Sequence, residues 1–147
     1  MSTAKNLLAG LGGAIALNIL HESLKKTDKN MPRIDKLGEE AVQKSLSYAG
    51  TSIEDKDTLY GVTLGADLIS NALYFSLIGS GKPNQIWPKA IALGLAAGTG
   101  AITLSEPMGL DDAPVAKNNK VKALTVAYYL AGALVTGCIL QATTKKR

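Results

Sequence analysis

A chain of 147 residues is short for more than one domain, and its 46% hydrophobic content rests on Leu, Ala, Ile and 15 Gly rather than on aromatics. Its net charge of +4 comes from scattered lysines without interleaved aromatic residues, which argues against a nucleic-acid partner. One cysteine, Cys138, and one histidine, His21, exclude an intrachain disulfide, a thiolate metal cluster and any site with two histidine ligands.

The first apolar segment, residues 7–20, reads LLAGLGGAIALNIL and lies between Lys5 and His21. It is the shortest of four such segments and spans a ~30 Å hydrocarbon core only if its polar ends reach the headgroups. A cleaved signal peptide is the competing reading, with Lys5 as its basic start and Ala14-Ile15-Ala16 as its cleavage site. Three glycines interrupting the apolar run argue against it. Residues 21–57 are polar, yet Ile34, Leu37, Ala41, Val42 and Leu46 recur at near-helical spacing, with Asp35, Lys36, Glu39, Glu40 and Lys44 mostly opposite. This predicts a short amphipathic helix, lying either at the membrane interface or on the rest of the protein.

The second segment covers residues 59–79, and Thr51-x-x-Glu54 before it reads as a capping box. Residues 79–84, GSGKPN, form a turn. The third segment, residues 86–104, starts with Trp87, Pro88 and Lys89; proline is tolerated in a first turn and the lysine can snorkel to the interface. Residues 111–120 form a polar connection to the fourth segment, residues 121–143. The expectation is an all-α, single-domain, four-helix transmembrane bundle with an additional amphipathic helix in its first loop. The helices are placed at about 5–22, 34–48, 52–80, 85–105 and 120–144.

Small residues at helical spacing support close crossings: Gly12 and Gly13 in the first segment, Gly61 and Gly65 in the second, Gly94 and Gly98 in the third. Residues 8–17 also align with residues 95–104 at six of ten positions, which is compatible with two duplicated hairpins.

Four crossings would put residues 21–57 and 111–120 on one side. Asn18, His21 and Glu22 end the first helix there, Glu106 ends the third and Lys122 starts the fourth. Asp67 lies about 10 Å along the second helix from Tyr60, with Asn71 one turn further. A carboxylate at that depth is costly, so it normally faces the bundle, finds a partner and marks a site. The candidate cluster is therefore Asp67, His21, Glu22, Glu106, Asn18, Asn71 and Lys122, either as a polar clasp or as a protonatable site.

His21-Glu22 is not followed by a second histidine, and neither a nucleophile elbow nor a phosphate loop occurs. No catalytic residue, metal or cofactor is expected. The leading expectation is a structural, accessory or self-associating protein of a bacterial inner membrane. Its partners would be the lipid bilayer and either itself or a larger membrane complex. The alternative is a small proton or solute transporter using Asp67. A third is a membrane-embedded enzyme using His21 with Glu22 and Glu106, and a fourth is a soluble all-α protein.

Overall fold

The computed structural model describes residues 2–145, all of whose regular elements are helical. They are α1 (Thr3–Leu24), α2 (Ile34–Tyr48), α3 (Lys56–Ser76), α4 (Ile86–Leu104), α5 (Ala113–Ala116) and α6 (Asn119–Lys145).

Local chemistry sets most of the ends. Ser2 caps α1 by accepting from the Lys5 amide at 3.3 Å. The expected start of the second long helix near residue 52 moves to Lys56, and Thr51 and Glu54 form no capping box. Asp55 is the cap instead, accepting from the Thr58 amide at 2.9 Å and its hydroxyl at 2.6 Å. Residues before it are held by the Gln43 side chain, which exchanges hydrogen bonds with the backbone of Ile53. A tight turn at Leu77–Gly79 and Gly81, whose φ of +95° suits glycine, reverses the chain into α4. The polar connection expected at residues 111–120 contains the single-turn α5, and Asn118 caps α6 through the Val121 amide at 2.9 Å.

Helix α6 runs between α1 and α4, and α1 also lies along α3. Small residues make these crossings close. A Cβ on Gly13 would strike Thr136 Oγ1 and the Gly132 carbonyl of α6, and one on Gly10 would strike the Ala72 carbonyl of α3. On α4, Gly94 faces Leu130 and Ala133, and Gly98 faces Val126. Gly12 faces only the flexible end of Ile139. One apolar core gathers Ala9, Phe75, Ile78, Ile86, Ala90, Ala133 and Leu140. A second, at the end where α2 and α5 close over the long helices, gathers Leu17, Ile34, Leu37, Val115 and Tyr128.

Gly61 and Gly65 are placed differently. Neither has any atom within 4 Å of an added Cβ, so both lie on the open face of α3 rather than in a crossing. Gly61→Ala and Gly65→Ala should therefore leave packing intact and raise stability by up to about 1 kcal/mol each through helix propensity. Thermal melting of the purified variants checks this; a lowered melting temperature would place a partner on that face.

Three helical stretches are long and apolar enough to cross a membrane: Thr3–Leu24, Lys56–Gly79 and Asn119–Lys145. Helix α4, 19 residues long, is not among them. Large apolar side chains stand on the outside of α1, α3 and α4, including Leu8 (68% exposed), Ile69 (65%) and Leu104 (57%).

Candidate functional site

The last turns of α1 and the middle of α3 present polar residues to each other at helical spacing. On α1 these are Asn18, His21 and Glu22; on α3 they are Tyr60, Thr63, Asp67 and Asn71. Steps of three and four keep each set on one helix face. Helix α2 covers them, because Ile34 and Leu37 are buried in the second core and carry Asp35 inward with them. Gly38 makes this docking possible: a Cβ there would come within 2.8 Å of Thr63 Cγ2 and 3.1 Å of Asp67 Oδ2.

Two polar groupings result. The first is a charge network tying α2 to the end of α1. Asp35, 8% exposed, receives a bidentate pair of hydrogen bonds from Arg33, at 2.9 Å from Nε and 2.8 Å from Nη2. Lys25 Nζ lies 2.7 Å from Glu22 Oε2 and 3.6 Å from Asp35 Oδ2, and sits 4.9 Å from the centre of the Tyr60 ring. His21 lies between the two acids, with Nδ1 3.5 Å from Glu22 and Nε2 3.3 Å from Asp35. The approach to Asp35 is too poorly aligned for a hydrogen bond. The edge of the imidazole meets the Tyr128 ring, centroids 6.4 Å apart.

Burial pushes the Asp35 carboxyl up, but the contacts and charges of His21 and Arg33 more than reverse this and hold it well below the usual carboxylate range. Burial likewise pushes the Lys25 ammonium down, and its bond to Glu22 with the charge of Asp35 outweighs that and raises it.

The second grouping is the pocket between α1 and α3. Its water-sized space is about 30 Å3, room for one or two waters. Asp67 lines it, as do Asn18, Thr63 and Asn71, and Asp67 also borders a wider groove between α2 and α4 that reaches Tyr129. The carboxylate of Asp67 makes no hydrogen bond or ion pair with any described residue; His21 and Asp35 act on it only through their charges. Thr63 Oγ1 and His21 Nε2 are fully buried and have no hydrogen-bond partner.

The structure thus brings together Asp67, His21, Glu22, Asn18 and Asn71. Glu106 and Lys122 are exposed and line neither cavity. Glu106 falls in the turn after α4, where Pro107 ends the helix, and Lys122 points away on the first turns of α6, whose inward positions are Val121 and Thr125. Glu106 therefore does not join His21 and Glu22. Among the described residues no group of three His, Cys, Asp or Glu is placed to hold a metal ion.

Sequence reasoning missed Lys25, Arg33, Asp35 and Thr63. Thr63 was within reach, lying one turn before Asp67 on the same face. Asp35 was not, because only the docking of α2 brings it to His21.

No protein-family model, curated protein or solved structure matches this chain.

Proposed function

We propose that this chain is a four-helix integral membrane protein of structural or accessory type, with α1, α3, α4 and α6 crossing the bilayer and α2 strapped across one mouth. The observation that carries the reading is the combination of three helices with spanning length and apolarity and large apolar side chains turned outward. An exposed apolar surface of this extent is costly in water and ordinary in lipid. The proposal counts α4 as the fourth span because it lies against α6 and turns Ile91, Leu95 and Leu104 outward. The proposed location is a bacterial plasma membrane with the α2 side inside. That side carries ten Lys and Arg against six on the other, and basic residues orient spans. Of those six, Lys146 and Arg147 lie outside the described residues.

Alkaline washing of membranes from expressing cells tests the reading. The chain should stay in the pellet, and release into the supernatant would overturn it. Topology reporters inserted near residues 82 and 111 should report opposite sides; the same side would remove α4 as a span.

A second reading, movement of a proton or small solute, is favoured by one observation. The Asp67 carboxylate is unpaired and faces two cavities.

A further inference from the structure

Thr63 differs from the other buried Ser and Thr side chains, Ser105, Thr125 and Thr136, all of which bond back to the helix backbone. Ser45, Ser70, Thr103, Ser105, Thr125 and Thr136 each donate to the carbonyl four residues earlier. This is the usual way a helix satisfies a hydroxyl without water. Thr63, which lines the pocket beside Asp67, is 2% exposed, and its hydroxyl has no hydrogen-bond partner among the described residues. The side chains of Asn18 and Asn71, which line the same pocket, also make no hydrogen bond with a described residue. A buried hydroxyl left unpaired is a costly arrangement unless something fills the space beside it.

We propose that the pocket between α1 and α3 binds a small monovalent metal cation, Na+ or Li+, through the oxygens of Asp67, Thr63 and Asn18, with water completing its shell. The inference goes beyond the accessory reading and holds whether or not the ion is transported. Three features select this class of ligand. The donors are a carboxylate, a hydroxyl and an amide oxygen, which suit hard cations. The space, about 30 Å3, admits a small ion with a water. The charge is right for a single positive ion. Glu22 and Asp35 are committed to Lys25 and Arg33, which leaves Asp67 as the one uncompensated carboxylate lining the pocket among the described residues. A divalent ion would ask for more negative charge than that.

The test uses the purified full chain in detergent, titrated with NaCl, LiCl or KCl at constant ionic strength against choline chloride. Na+ and Li+ should raise the melting temperature saturably, and choline should not. Asp67→Asn should abolish the shift, and Thr63→Val should weaken binding about tenfold. Equal responses to Na+ and choline in the wild-type chain overturn the proposal, as does a full Na+ response in folded Asp67→Asn. Should that variant not fold, equilibrium binding of radioactive sodium to the wild-type chain decides alone: saturable uptake supports the site, its absence removes it. Binding without movement into liposomes supports the site and counts only against the transport reading. Loss of the chain in an alkaline wash would instead count against the membrane reading.

Discussion

Asp35→Ala is expected to lower stability at neutral pH by about 2–3 kcal/mol, less than a fully dry ion pair would cost because Arg33 is partly exposed. The substitution removes the carboxylate on which three cationic or polar groups converge: the Arg33 fork, Lys25 and His21. What remains is positive charge crowded under α2, answered by Glu22, which already holds Lys25, and at longer range by Glu39. The loss should show first as release of α2, read as faster hydrogen exchange in residues 34–48 with the long helices still protected. Acid should reproduce it. Because the folded carboxyl of Asp35 titrates below its ordinary 3.8, its contribution is present above about pH 4 and is lost as pH falls further. The gap in melting temperature between wild type and Asp35→Ala should therefore begin to narrow as the pH is lowered from 4 toward 3. A constant gap between them from pH 7 to pH 3 would show that the variant acts through packing and not through charge.

Gly13→Ala is the second large effect, about 2–3 kcal/mol even after the gain in helix propensity. The added methyl would overlap the Gly132 carbonyl and the Thr136 hydroxyl, which itself bonds back to Gly132. Backbone cannot yield as a side-chain tip can, so α1 must move off α6. Gly12→Ala provides the control one residue away, where the neighbour is only Ile139 Cδ1. Unfolding of both variants in a denaturing detergent series measures the difference. Equal stability of the two would mean that α1 and α6 do not cross as closely as described.

The contrast among glycines shows how far a one-dimensional reading extends. The spacing of Gly61 and Gly65 is as good a packing signal as that of Gly94 and Gly98. Yet the first pair faces outward and the second lies under α6. Spacing defines a stripe on a helix; which way the helix turns that stripe depends on everything else it packs against. The same holds at the polar end. Asp67, His21, Glu22, Asn18 and Asn71 could be grouped from their positions along two helices, since each set repeats at three or four residues. Glu106 and Lys122 sit at the same end in projection and were grouped with them, but they stand outside, on segments whose rotation no periodicity disclosed.

The four long apolar helices and the amphipathic α2 were legible because burial imposes a period on the chain, and a period can be read without neighbours; where α2 docks was not. Composition also ruled out disulfides and two-histidine metal sites within one chain, since those need residues the chain lacks. The unpaired Asp67 is legible in half: its presence in an apolar run is in the sequence, but its lack of a partner is not. Only the tertiary structure decided that Asp35, Lys25 and Arg33 would consume one another and leave Asp67 alone. Pairing energies fall off steeply with distance, and distances between residues remote along the chain are set by packing.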